Sequence, residues 1–320
     1  MSVGTGRRAV AIGGGTGLPA VIHCLLELGF ATSAVVTMAD DGGSSGALRR
    51  QLGMLPPGDI RNCLVAMSAD EHGLPAELFQ YRFPHGEGLA GHALGNLVLA
   101  ALADITGSFP AAIGYAEEYL GARGHVYPST LADVVLHGVD RAGSALSGQA
   151  RLATSPEPLA CVRLEPACPP VFSPALDAIR AADVIVIGPG SLFTSLIPNF
   201  LVGGVSAAVK SSSARRVYVC NVANMRGETG GLDAADHVAA LVEHGLDNAI
   251  DVVLVHVPEG CDTPVCDDET GIEPVLADEA VQARVRAFGP RVVAADLADT
   301  ADPVRHSRAA LCRALEGVVA

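Results

Sequence analysis

In the stretch VAIGGGTGLP an apolar run ending at Ile12 passes into Gly13, Gly14, Gly15, Thr16 and Gly17 before a helical pattern begins. A strand that breaks into glycines and then opens a helix leaves free amides at a helix N-terminus, where partial positive charge favours a phosphate. The glycines let the backbone approach a ligand closely, and Thr16 adds a hydroxyl donor. The stretch VIVIGPGSLFTS repeats the logic with Gly188, Gly190, Ser191 and Thr194. Two such turns in one sheet suit a ligand carrying two phosphates, of which a nucleoside diphosphate is the simplest. The plainer alternative is a pair of tight strand-to-helix turns, with Ser191 as an N-cap.

Two acidic segments lie nearby in the chain. TMADDGGSSG puts Asp40 and Asp41 at a strand end, and LPPGDIRNCL puts Asp59, Arg61 and Asn62 at the start of an apolar helix. Carboxylates beside a phosphate site repel the ligand unless they hold a metal ion or hydrogen-bond sugar hydroxyls. A solvated turn and an N-cap are the plainer roles. Arg61 and Asn62 suit an anchor for a carboxylate or phosphate, with a structural ion pair as the competing role. GEGLAGHALGN adds His92 and Asn96 one helical turn apart on one face. The catalytic candidates are therefore Asp59, Arg61 and His92. Asp40, Asp41, Asn62 and Asn96 are the candidates for sugar or substrate contact.

Several familiar chemistries are excluded or weakened. Lys210 is the single lysine, so no P-loop is present at Gly13–Gly17. The dinucleotide fingerprint G-x-G-x-x-G needs glycine where Leu18 stands, so a nicotinamide-dependent reading rests on Gly13, Gly15 and Asp40 alone.

The elements that must position these residues follow from hydrophobic period. Val- and Ile-rich runs at 9–15, 34–43, 183–191, 216–224, 251–260 and 291–299 alternate with helical segments. Continuous rather than alternating apolar strands imply a mainly parallel sheet covered on both faces, an α/β, Rossmann-like, doubly wound fold. Ligands in such sheets bind beyond the carboxyl ends of the strands. The polar strand ends at Gly13–Gly17, Asp40–Gly46, Gly188–Thr194 and Asn221–Asn224 are expected to converge there, which adds Asn221 and Asn224 to the nucleotide set. Residues 76–122 read as mostly helical, and about 125–170 as a small antiparallel β insertion within a single domain, 1–320.

Composition narrows the class further. The hydrophobic fraction of 49% suits a large buried core, and a net charge of −14 without a basic run disfavours nucleic acid as a partner. No apolar run approaches a membrane span, and no segment reads as a signal peptide, so a cytoplasmic location is expected. The eight cysteines sit mostly in apolar segments and are expected to be reduced, with Cys261 and Cys266 lacking a zinc-type spacing.

Taken in order, GGGTGL, VTMADDGGSSGALR, LPPGDIRNCLVA, ELFQYRF, GEGLAGHALGNL, VIGPGSLFTSLIPNFLV and VCNVANMRGETGG closely resemble the bacterial gluconeogenesis factor family, which shares a superfamily with the 2-phospho-L-lactate transferases. The resemblance implies a cytoplasmic protein that binds UDP-sugars or another nucleoside diphosphate. It also implies a role in cell shape on gluconeogenic carbon sources, with a cell-wall synthesis protein or a second copy of the chain as partner. No cofactor is required by that reading. The transferase branch implies the alternative, a phospho-group transferase with Mg2+ held by Asp41 and Asp59. Against the transferase, the Pro-Ser-Asn character of its second loop is replaced here by Gly190, Ser191 and Leu192. The resemblance implies a basic segment before the last EPV, with a tyrosine able to stack on a base. Here residues 261–273 open an acidic stretch, CDTPVCDDETGIEPV, without aromatics.

Overall fold

The computed structural model describes residues 6–258 and 273–319. The chain opens with β1 (Arg8–Gly13), α1 (Leu18–Glu27) and β2 (Ala31–Val36). A helical stretch follows: α2 (Gly43–Leu52), α3 (Gly58–Met67), α4 (Leu74–Gln80), α5 (Leu94–Thr106) and α6 (Phe109–Leu120). Then come β3 (Gly124–Pro128), β4 (Val135–Asp140), β5 (Ala145–Ser147), the one-turn α7 (Gln149–Leu152) and β6 (Leu159–Glu165). The chain continues through α8 (Ser173–Ala181), β7 (Val184–Ile187) and a wide helical turn at Leu192–Leu196 that runs into α9 (Ile197–Phe200). It ends with α10 (Val205–Ser211), β8 (Arg215–Val219), β9 (Ala223–Asn224), α11 (Ala234–Leu241), β10 (Val252–His256), β11 (Glu273–Pro274), α12 (Glu279–Ala287), β12 (Arg291–Ala295) and α13 (Arg308–Val319).

Seven strands form one parallel sheet in the order β3-β2-β1-β7-β8-β10-β12. The chain winds outward from β1 in one direction and from β7 in the other, so the strand order reverses between them. A crevice forms at such a switch point, and the two glycine turns leave the sheet there. Alternation along β1 sends Val10 and Ile12 into the apolar layer that packs under α8, α10 and α11. Ala9 and Ala11 face the opposite layer, built on α1, α3 and α6.

Two expectations need correction. The insertion begins later than residue 125, because Gly124–Pro128 pairs parallel to β2 as the edge of the main sheet. The antiparallel unit itself is β5-β4-β6. Gly124 faces the reason directly: a Cβ there would stand 2.2 Å from the Thr32 carbonyl oxygen, so only glycine lets this edge strand close on β2. The second correction concerns Cys24 and Cys312, which are joined as a disulfide between α1 and α13 with a Cα–Cα distance of 4.9 Å. Helix packing brings residues 288 positions apart into register, which spacing in the sequence does not reveal. Cys63 and Cys220 are buried free thiols, whereas Cys261 and Cys266 lie outside the described residues. No helix among the described residues is long and apolar enough to cross a membrane.

Candidate functional site

The first glycine turn is an uncapped helix entrance. Gly17 occupies the N-cap position of α1, no side chain caps it, and the first turn contains no acidic residue. Within that first turn Pro19 carries no N–H and the Ala20 amide is met by the Gly17 carbonyl at 3.2 Å, so the crevice is faced by the amides of the turn leading into the helix. Close approach explains the glycines. A Cβ on Gly14 would stand 2.6 Å from Asp59 Oδ2 and 2.7 Å from Thr37 Cγ2, and one on Gly17 would stand 2.7 Å from the Pro189 carbonyl oxygen. Gly15 adopts φ +68°, a left-handed conformation that favours glycine. Asn199, fully buried, donates through Nδ2 to the Gly13 carbonyl at 3.1 Å and fixes the strand end.

The second turn lies against the first, because a Cβ on Gly190 would stand 3.1 Å from the Gly14 carbonyl oxygen. Between them opens a cavity of about 250 Å3 lined by Thr16, Gly17, Gly190, Ser191 and Asn221, with Val222, Met225 and Val304 as apolar wall and Arg305 and His306 at one side. Asn221 clamps the turn rather than projecting freely: its Oδ1 accepts from the Gly190 amide at 3.2 Å and its Nδ2 donates to the Gly190 carbonyl at 2.9 Å.

The helix entrance of this second turn is already filled by the protein's own anion. Glu228, 1% exposed, accepts from the amides of Phe193 at 2.7 Å and Thr194 at 3.0 Å and from Thr194 Oγ1 at 3.1 Å. Burial raises the Glu228 carboxyl above the usual range, and these donors pull it back down. Thr194 therefore leaves the ligand set, as its hydroxyl and amide are spent on Glu228. Asn224 leaves it for the same reason: it is buried, donating to the Leu232 carbonyl at 2.7 Å and accepting from His237 Nε2 at 2.9 Å.

The acidic pair beside the first turn is Asp40 with Asp59, not Asp41 with Asp59. Asp41 caps α7 of the insertion, accepting from the amides of Gln149 at 3.1 Å and Ala150 at 2.8 Å. Asp59 accepts a hydrogen bond from the Gly15 amide, yet burial, reinforced by the charge of Asp40, raises its carboxyl to about 6. Asp40 is raised as well, chiefly by burial, although the Gly42 amide donates to it at 3.0 Å and Ser45 adds a second bond. Two carboxylates held together at such a cost have the donor chemistry of a hard divalent cation, with phosphate oxygens and water completing its shell. Among the described residues no cluster of three or more His, Cys, Asp or Glu side chains has metal-site geometry.

On the far side of Asp59, Arg61 is 5% exposed and donates to Asn96 Oδ1 at 3.1 Å and Asn62 Oδ1 at 2.7 Å. Ser44 joins this network, accepting from Asn96 Nδ2 at 3.0 Å and sharing a hydrogen bond of 3.0 Å with His92 Nδ1. Gly13, Gly14, Gly15, Thr16, Gly17, Gly190, Ser191, Asn221, Asp40, Asp59, Arg61, Asn62, His92 and Asn96 thus line or border one region at the carboxyl end of the sheet. Gly188 follows the end of β7 with a left-handed φ of +74°. Sequence reasoning missed Met225, Glu228, Arg305 and His306 as site residues. For Arg305 and His306 the signal was available, since they follow the last strand of the sheet and such ends face the crevice.

The chain matches the 2-phospho-L-lactate transferase CofD family over residues 9–298. It is 41% identical over 314 residues to a gluconeogenesis factor of Halalkalibacterium halodurans, covering 97% of this chain and 96% of that one. To the gluconeogenesis factor of Bacillus subtilis it is 45% identical over 244 residues, covering 76% of this chain and 77% of that one. A crystal structure of a UPF0052 family member from Bacillus halodurans superposes with a TM-score of 0.90 at 39% identity, covering 98% of this chain and 99% of that one. The chain belongs to the CofD (UPF0052) family, among relatives named gluconeogenesis factor.

Proposed function

We propose that this CofD-family member is a nucleotide-sugar-binding regulator, taking the diphosphate of a UDP-sugar at the first glycine turn and acting on cell shape during growth on gluconeogenic carbon. The observation that carries the reading is the uncapped entrance of α1, braced by the second turn and opening on the cavity beside Gly190 and Asn221. Backbone amides and Thr16 supply the phosphate donors, so no lysine is needed. Val222, Met225 and Val304 offer the apolar wall that a base requires. The partner through which it acts is proposed to be a cell-wall synthesis protein. Because Glu228 already occupies the second helix entrance, the second turn shapes the cavity instead of contributing a second set of helix amides.

A second reading, a phospho-group transferase, is favoured by the Asp40–Asp59 pair. A magnesium ion held there would polarise a phosphoryl oxygen, while Arg61 would offset negative charge on the adjoining group. A thermal-shift series with UDP-N-acetylglucosamine, UDP-glucose and GDP, with and without magnesium, followed by mass spectrometry of the recovered ligand, separates the two. Stabilisation by a UDP-sugar recovered intact is expected. Breakdown of the ligand, or selectivity for GDP, would move the assignment to the transferase.

A further inference from the structure

We propose that Arg61, Arg82 and His92, gathered at the head of α5, form a binding site for a second anionic group, a phosphate or carboxylate, distinct from the diphosphate at the first glycine turn. The inference goes beyond the nucleotide assignment and draws on separate observations.

The first is the helix start. α5 has 13 residues with no acidic residue in its first turn, and backbone carbonyls meet its leading amides, Leu94's by Tyr81 at 2.8 Å and Asn96's by Ala93 at 3.0 Å. The second is the cation laid across it. Arg61 passes over Gly95, where a Cβ would stand 2.9 Å from Arg61 Cδ and 2.7 Å from the Phe79 carbonyl oxygen. Arg61 makes no ion pair among the described residues, and the acceptors found for its guanidinium are two neutral side-chain amides. Its Nε is buried without any hydrogen-bond partner. An enclosed guanidinium hydrogen-bonded by amides alone, with Asp40 and Asp59 acting on its charge only from beyond ion-pair distance, lacks the directly paired counter-ion that burial normally demands.

Further positive charge is placed beside it. Arg82 pairs across an isolated bridge with Ala93, at the head of α5. One of its guanidinium nitrogens donates to the Gly91 carbonyl at 2.5 Å. The Arg82 charge, after burial, is the main influence lowering Arg61 to about 10. His92 stands on the same segment, tied to Ser44 at 3.0 Å. Asp40 and Asp59 are the acidic groups nearest in charge to Arg61, and neither reaches ion-pair distance from it. Two arginines at the head of α5, neither paired with a carboxylate among the described residues, favour an oxyanion between them, held by guanidinium contacts.

Two sources would supply that anion: the far end of a nucleotide sugar that itself bears an acidic substituent, or a separate small phosphorylated or carboxylated metabolite. Titration calorimetry of the full chain with inorganic phosphate, with the nucleotide cleft empty and again saturated with UDP, tests the site. Phosphate is expected to bind in both states, about tenfold more weakly in Arg82→Gln and in Arg61→Met, with UDP affinity unchanged in Arg82→Gln. Arg82 is exposed, so its variant keeps the test valid if Arg61→Met fails to fold. A parallel titration with UDP-glucuronic acid and UDP-glucose distinguishes the sources: a preference for the acidic sugar lost in Arg82→Gln marks the first, and phosphate bound alongside UDP without that preference marks the second. The proposal is overturned if phosphate binding is absent or is unchanged in both arginine variants. If UDP fails to bind while phosphate binding still depends on Arg82, the nucleotide assignment falls and this site stands.

Discussion

Replacing Asp59 by asparagine removes a carboxylate that the fold keeps ionised at neutral pH only against burial and the charge of Asp40. Its carboxyl is raised from 3.8 to about 6. The folded chain therefore holds a proton between about pH 4 and 6 that the unfolded chain has already released, and wild-type stability falls as pH rises through that window. Two units correspond to nearly 3 kcal/mol, and because Asp59 retains some solvent contact we take ~2 kcal/mol as the expected cost at pH above both values. Asparagine keeps an oxygen to accept from the Gly15 amide and is similar in size. Asp59→Asn is thus expected to be more stable than the wild type by ~2 kcal/mol near pH 7.5 and equal to it near pH 4. Urea denaturation followed by circular dichroism, in metal-free buffer across that range, measures the difference. A variant less stable than wild type at pH 7.5, or a gain that does not change with pH, would refute the reasoning.

Other perturbations test neighbouring parts of the account. Gly14→Ala places a methyl 2.6 Å from Asp59 Oδ2, and isothermal titration is expected to show loss of nucleotide binding with the fold retained. Gly17→Ala meets the Pro189 backbone at 2.7 Å and is expected to cost ~1–3 kcal/mol in urea unfolding, since neither turn can yield freely. Glu228→Ala strips the acceptor from the Phe193 and Thr194 amides and the Thr194 hydroxyl, and a loss of ~3 kcal/mol is expected in the same assay. Asp41→Ala is expected to cost ~1 kcal/mol in the same assay by uncapping α7.

The parallel sheet and its polar rim were legible because they rest on local pattern. Runs such as VIVIG and VVLVH have the continuous apolar character of strands buried on both faces, and glycines at their ends mark the places where backbone must come close. β3 was not legible, since GHVYP is short, carries a histidine and lies among prolines and glycines that also suit a turn. Which aspartate faces the cleft was equally hidden. Asp40 and Asp41 are adjacent at the end of one strand, and the choice between them is made by α7, more than a hundred residues away, whose amides take Asp41. Thr194 illustrates the same limit. Its place at a helix start is right for a phosphate, and only the tertiary fold shows that Glu228, from the loop after β9, reaches it first.

The central claim is that the entrance of α1, braced by the second glycine turn, holds a diphosphate. Its most direct test is isothermal titration of UDP-N-acetylglucosamine into the wild-type chain and into Gly14→Ala, each checked for native circular dichroism. The account predicts saturable one-to-one binding by the wild type that is lost in the folded variant. Equal binding by both proteins, or none by the wild type, would contradict it.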